Sequence, residues 1–271
     1  MKIQFTKMHG CGNDYVYVNC FDYNIEDPNS LSIRISDRHF GIGSDGLVLI
    51  MPSESCDFRM RMFNADGSEA QMCGNDSGCI AKYVYDHHLT DKTEFTLETL
   101  AGVKVLKVFP GQDGKVEKVT VNMGQPEYLP EQEIEVLGEK KRMTYVSMGN
   151  PHAVYFTEDV ETLDLEKIGP AYENHPYFPN RTNSEFVKIY DKSHARMRVW
   201  ERGSGETWAC GTGSCATLVA CVLNGLTDRQ ITLDLNGGSL DLFWSPEDNN
   251  VYMTGPATEV FEGAIEVRSE E

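Results

Sequence analysis

Apolar and polar positions alternate in two short stretches of this chain. In "DFRMRMFN" (57–64), Phe58, Met60 and Met62 face one way and Arg59, Arg61 and Phe63 the other; in "ARMRVWER" (195–202), Met197 and Val199 share a side. A period of two predicts a strand with one buried face. After each strand comes a turn containing Gly and Ser, then Cys-Gly, then a helical pattern. In the first helix Ile80 and Val84 stack one turn apart. The second, "SCATLVACVLNG" (214–225), is apolar nearly all round. That predicts a buried helix, capped at its end by Asn224-Gly225.

This arrangement occurs twice in one register. Gly12-Asn13 and Gly149-Asn150 open the two copies, and the same offset of 137 residues carries 13 to 150 and 73 to 210. It also places Glu69 on Glu206, Gly74 on Gly211 and Ser77 on Ser214, within "SEAQMCGNDS" and "GETWACGTGS". Two copies of one fold are expected, each a strand-rich shell around a central helix. The expected halves are residues 1–117 and 118–256, joined near 115–120, where "GQDGKVEKV" has the polar, turn-forming character of a linker. The segment 257–271 is expected to return to the first half.

Composition narrows the chemistry. With 271 residues either half can bury a substantial core. The net charge of −18, with no block of Lys and Arg to offset it, argues against nucleic acid or an acidic membrane as partner. The longest apolar runs are too short to span a bilayer, and "MKIQFTKMHG" lacks the core of a signal peptide, so a cytoplasmic protein is expected. Eight scattered cysteines contain no CxxC pair. Zinc normally takes tighter ligand pairs than Cys73-x5-Cys79 or Cys210-x4-Cys215, and a cytosolic setting disfavours disulfides. Cys11, Cys20, Cys56, Cys79, Cys215 and Cys221 are read as core.

Cys73 and Cys210 differ from the others because each precedes a helix at the same place in its copy. Helix N-terminal N–H groups and the helix dipole stabilise a thiolate and are expected to lower its pKa. The same groups hold a carboxylate. A thiolate, a thiol and a carboxylate cradle are the parts needed to exchange a proton at the α-carbon of an amino acid. One Cys removes the proton from one face while the other returns a proton to the opposite face. Gly74, Asn75, Gly211 and Thr212 offer N–H donors for the carbanion-like intermediate. This logic requires no cofactor and no metal.

At these residues the chain resembles diaminopimelate epimerase. The resemblance runs nearly end to end through "KMHGCGNDYVYV" (7–18), "DRHFGIGSDGLVLI" (37–50), "FNADGSEAQMCGN" (63–75), "MGNPHAV" (148–154), "RTNSEFV" (181–187), "WERGSGETWACGTGSCA" (200–216) and "GGSLDLFW" (237–244). It implies an α/β (α+β) fold of two pseudo-symmetric halves, each a barrel-like, mostly antiparallel sheet around a central helix, with the active site between them. It also implies conversion of LL- to meso-diaminopimelate in lysine and cell-wall precursor synthesis, without cofactor, by an enzyme that closes around substrate and often forms a homodimer. Carried over, Cys73 and Cys210 are the acid–base pair. Asn13, Asn64, Asn150, Asn183, Glu201 and Arg202 match positions that bind the non-reacting end of the substrate. Gly74, Asn75, Gly211 and Thr212 match the cradle, and His152 and Glu201 match residues that assist near the thiols. The distal set also makes sense unaided: Arg202 can grip a carboxylate bidentately and Glu201 can accept from an ammonium.

One segment departs from the family pattern Cys-Gly-Asn-Gly-x-Arg-Cys: here "CGNDSGC" puts Asp76 in place of glycine and Gly78 in place of arginine. Asp76 is placed to cap the helix, but its charge would raise the pKa of Cys73 and repel an anionic substrate. Three rivals remain at this point. A racemase of a smaller amino acid would leave Asn64, Asn183 and Arg202 unpaired. A non-catalytic binding protein would take no solvent deuterium into the α-carbon. A thiol redox protein would need the Cys73–Cys210 disulfide.

Overall fold

The computed structural model describes residues 2–21 and 23–266. The chain divides into two compact units, Met1–Val121 with Pro256–Glu271, and Asn122–Gly255.

In the first unit β1 (Lys2–Gly10) and β2 (Asn13–Asn19) form an antiparallel hairpin. Helix α1 (Pro28–Ser36) carries the chain to β3 (Gly46–Met51), parallel to β2. Strands β4 (Phe58–Asn64) and β5 (Glu69–Ala70) follow, both antiparallel to their predecessors. Helix α2 (Gly74–Asp86) then crosses to β6 (Glu94–Thr99), which lies parallel to β4. A parallel pair needs such a crossover, which is why helices sit at these two points and hairpins elsewhere. β7 (Gly102–Pro110) and β8 (Val116–Gly124) complete the meander. Cys79, Ile80, Ala81 and Val84 of α2 have no exposure at all, packed against β1, β2 and β7.

The second unit repeats this order. β9 (Glu127–Tyr128) and β10 (Gln132–Val136) flank β11 (Glu139–Ser147), which pairs with β12 (Pro151–Phe156). Helix α3 (Leu165–Glu173) leads to β13 (Asn183–Asp191), parallel to β12. β14 (His194–Glu201) and β15 (Gly205–Thr207) precede α4 (Gly211–Leu223), which crosses to β16 (Gln230–Leu235), parallel to β14. β17 (Gly238–Trp244) and β18 (Val251–Pro256) finish the unit. From Ser214 to Cys221 every side chain of α4 is fully buried. Burial of Leu218 and Val219 contributes about 1.5–3 kcal/mol each. The helix ends at Asn224, with Gly225 at φ 65°.

The repeat extends beyond the residues that reveal it in sequence. Under the same offset α1 coincides with α3 and α2 with α4 at both ends. Each outer helix is capped by an aspartate: Asp27 accepts from the Ser30 N–H and Asp164 from the Lys167 N–H. Arg61 grips Glu69 with two bonds of 2.7 and 3.0 Å, and Arg198 grips Glu206 with 2.8 and 2.9 Å. Ser77 and Ser214 each close the first helical turn onto the carbonyl of the preceding Cys73 or Cys210.

Three expectations need correction. The segment 115–120 is no open linker: residues from 116 onward belong to β8, whose Val116, Val119 and Val121 are buried, and only Gly111–Gly114 makes a turn. Phe63 is buried although it alternates with the arginines, because α1 covers that face of β4 as well. Cys20 and Cys56 are half-buried, not core. After β18, β19 (Thr258–Glu266) pairs antiparallel with β1; residues 267–271 lie outside the described residues. Among the described residues no helix is long and apolar enough to cross a membrane.

Candidate active site

Cys73 and Cys210 occupy the N-cap positions of α2 and α4, with nearly the same extended backbone (φ −132°, ψ 132° and φ −132°, ψ 110°). Strand geometry delivers each thiol to its cap, and the helix turns away below it.

In the first unit the half-buried Cys73 donates its thiol proton to Asn13 Oδ1 at 3.5 Å. The Asn13 amide is held from its other side, since Nδ2 donates to Asp45 at 3.2 Å. Asp45 and Asp14 are bridged by Arg38, and the buried Lys7 pairs with Asp14. This charged group orients Asn13, and sequence reading did not isolate it, although "DRHFGIGSDG" contains part of it. Gly74 and Asn75 begin α2, and Asn75 is buried with Nδ2 unpartnered among the described residues. Asn64 ends β4 and donates to Ser68 at 2.9 Å.

Asp76 does not cap the helix. It is fully buried, accepts a 2.6 Å bond from the Tyr17 hydroxyl, and leaves Oδ2 without a hydrogen-bond partner among the described residues. A local cap loses here because position 76 faces the interior, where β2 presents Tyr17. Burial raises its carboxyl to about 7, against the lowering effect of Tyr17 and Cys73.

In the second unit Cys210 is buried beside Thr212, with Sγ and Oγ1 3.6 Å apart. Asn150 precedes β12 and donates to Thr212 at 3.3 Å. His152 is fully buried: Nε2 lies 3.0 Å from Asn150 Oδ1 and Nδ1 lies 2.7 Å from Glu185 Oε1. Asn183 opens β13, donates to the Pro151 carbonyl and accepts from the Arg202 N–H at 2.9 Å. Glu201 and Arg202 do not form a surface pair. Glu201 accepts from Thr207, while exposed Arg202 donates to the Asn180 carbonyl at 3.1 Å. Burial raises the Glu201 carboxyl above its usual range.

Both thiols are pushed up, not down as their helix ends suggest. For Cys73 burial is the main cause and the Asp76 charge the next; the N–H groups of Asp76 and Asn75 pull the other way. For Cys210 burial again leads, followed by Glu201 and Glu185, against the Gly213 N–H and Thr212. Loss of solvation outweighs the helix-end donors, so both thiols rest protonated.

Two buried carboxylates escaped the sequence reading. Glu185 is fully buried on β13, and an acidic residue inside the apolar-flanked "SEFVKI" is the signal that could have marked it. Glu173 at the end of α3 accepts from Trp200 Nε1, the Gly203 N–H and Arg181, fixing the turn that carries Arg202. No periodicity had marked α3.

The model of the family described as diaminopimelate epimerase matches residues 5–129 and 144–260. Diaminopimelate epimerase of Agathobacter rectalis is 55% identical, covering 98% of this chain and 100% of that one. The namesake from Acetivibrio thermocellus is 54% identical over 98% and 99%. Among solved structures, a phenazine biosynthesis protein of the PhzF family from Bacillus anthracis superposes with a TM-score of 0.77 at 16% identity, covering 98% of this chain and 100% of that one. A hydroxyproline epimerase from Agrobacterium vitis gives 0.71 at 15% identity over 97% and 92%. At such identity these two speak for the fold alone. The matched family model, the near-complete coverage by close relatives and the repeated N-cap cysteines make this chain a member of the diaminopimelate epimerase family.

Proposed function

We propose that this protein interconverts LL- and meso-2,6-diaminopimelate by proton exchange at one α-carbon, with Cys73 and Cys210 as paired acid and base. The observation that carries this reading is the recurrence of an N-cap thiol at one position of each repeat, in a chain of this family. The helix N-termini at Gly74–Asn75 and Gly211–Thr212 present N–H groups suited to the reacting carboxylate and to the charge that builds beside it. Asn13, Asn64, Asn150, Asn183, Glu201 and Arg202 stand at the family positions that recognise the distal amino-acid end. A bound ammonium beside a resting thiol favours its thiolate, so substrate itself prepares the base. His152 and Glu201 assist near the thiols.

The same reading makes the protein a cytoplasmic homodimer acting on a small amino acid and not on nucleic acid. The net charge of −18 supports the last point.

Incubation with LL-diaminopimelate in heavy water tests it. The protein is expected to form the meso isomer and take deuterium at one α-carbon. Cys73→Ala and Cys210→Ala should each lower the rate by about 10²–10⁴. Binding without exchange, or full activity in either variant, would overturn the assignment.

A further inference from the structure

We infer that Glu185 is a positioning residue for the Cys210 half of the reaction, acting through His152 and Asn150 to aim the Thr212 hydroxyl at the Cys210 sulfur. The inference rests on the reading of Cys210 as acid and base given above.

Four contacts make one continuous chain: Glu185 Oε1 to His152 Nδ1 at 2.7 Å, His152 Nε2 to Asn150 Oδ1 at 3.0 Å, Asn150 Nδ2 to Thr212 Oγ1 at 3.3 Å, and Thr212 Oγ1 to Cys210 Sγ at 3.6 Å. Its direction follows from counting protons. The imidazole meets an oxygen at each nitrogen, and a neutral ring has only one N–H to offer. Asn150 Oδ1 can only accept, so the proton on this side of the ring is the one at Nε2. His152 Nε2 therefore donates to Asn150 Oδ1. The Asn150 NH2 is then the end turned to Thr212, whose oxygen accepts it. That leaves the hydroxyl proton of Thr212 free to point at Cys210, where it stabilises the thiolate.

The site is built to hold Glu185 in this place. Glu185 and His152 have no exposure, and their strands β12 and β13 are paired neighbours. A Cβ at residue 213 would stand 2.7 Å from Glu185 Oε1 and 3.2 Å from Cys210 Sγ, so only glycine leaves room for the carboxylate behind the thiol. Glu185 Oε2 has no hydrogen-bond partner among the described residues, so the side-chain bond the carboxyl makes is the one to His152. An apolar side chain would fill the same space at lower desolvation cost.

Two measurements decide it. The first is the ¹⁵N spectrum of His152 in the substrate-free protein. It should show a protonated Nε2, and Glu185→Gln should mix the ring tautomers, because Gln both donates and accepts. A bare Nε2 in the parent protein overturns the inference, even if the variant fails to fold. The second is kinetic. Glu185→Gln should lower kcat by about 10–100-fold, the order of loss known when the partner that orients a metal-binding His is removed, with KM changed less than threefold. Combined with Thr212→Val it should cost no more than Thr212→Val alone. Losses that multiply, or a folded Glu185→Gln within threefold of the parent, refute the chain. The spectrum needs no substrate, so this inference and the proposed reaction can fail separately.

Discussion

Behind Cys210 the buried carboxylate comes from a strand, Glu185 on β13, and the helix contributes only Gly213. Behind Cys73 it comes from the helix itself, Asp76 of α2. The repeat offset makes these true counterparts: residue 213 matches 76, Glu185 matches the fully buried Val48, and His152 matches buried Tyr15. The strand registers agree, since Val154 pairs with Glu185 as Tyr17 pairs with Val48. The strand position and the helix position compete for one volume, as the 2.7 Å approach to Gly213 shows. Each half therefore carries one acid there, with a different companion. Glu185 bonds a histidine and is wired onward to the thiol, whereas Asp76 takes the Tyr17 hydroxyl and faces the Cys73 thiol directly. The second half directs a donor at its cysteine alongside the Glu201 and Glu185 carboxyls; the first sets only the Asp76 carboxyl beside its own.

The harshest way to break this comparison is to force both solutions into one half. Gly213→Asp would add a carboxylate where Glu185 already stands. Overpacking and two like charges without solvent should destabilise the protein by about 3 kcal/mol or more. Gly213→Asp with Glu185→Val, which copies the first half, should recover most of that. Urea unfolding of both variants checks it, and a single variant as stable as the parent would show that the two positions do not compete.

A second effect sharpens the contrast by pH. Asp76 keeps its proton up to about 7 in the folded protein, whereas its ordinary value is 3.8. The folded state therefore binds this proton more tightly. The resulting stability is complete below about pH 4 and is withdrawn as pH rises through 7, by on the order of 4 kcal/mol in total. Asp76→Asn keeps an acceptor for Tyr17 and removes the titration. The variant should match the parent near pH 4 and exceed it in stability at pH 8. Its Cys73 should also alkylate faster at pH 8 in a Cys210→Ala background, since the charge that opposes the thiolate is gone. An unchanged pH dependence of stability would show that Asp76 is already ionised well below neutrality.

The parts of this molecule legible in sequence are those where both copies need the same atom. Cys-Gly recurs because each helix must begin beneath a thiol, and Ser77 and Ser214 recur because each closes the first turn onto that cysteine's carbonyl. The outer helices escaped because "PNSLSIRIS" and "LEKIGPAYE" agree at no position; only their aspartate caps are shared, and one cap residue is a weak signal. β8 read as a linker because its outward face is Lys and Glu while its inward valines are spaced by a bulge. The thiol pKa values came out in the opposite direction for a physical reason. A helix end is visible in a sequence, but the desolvation that outweighs it depends on residues far along the chain. Glu185 was hidden likewise, since its meaning lies in Gly213 and His152, 28 and 33 positions away.

The mildest test concerns the arginine–glutamate pairs, where the two halves look most alike. Arg61–Glu69 and Arg198–Glu206 have matching geometry, but the first pair's side chains are 29% and 28% exposed and the second's 13% and 19%. Arg198 also donates to the carbonyls of Val160 and Leu163 at 2.9 Å each, anchoring the chain that leads into α3. Arg61 instead lies over the Phe63 ring at 4.9 Å. Removing Arg198 strands two carbonyls and a poorly solvated carboxylate. Removing Arg61 strands a carboxylate that water can reach. Arg198→Ala should therefore cost about 2–3 kcal/mol and Arg61→Ala no more than ~1 kcal/mol, read from urea unfolding at matched salt. Adding salt should shrink the Arg61 loss more than the Arg198 loss, because screening acts on the exposed pair. Equal losses with equal salt dependence would mean that the repeated pair is only a register mark, and that α3 is held in place without it.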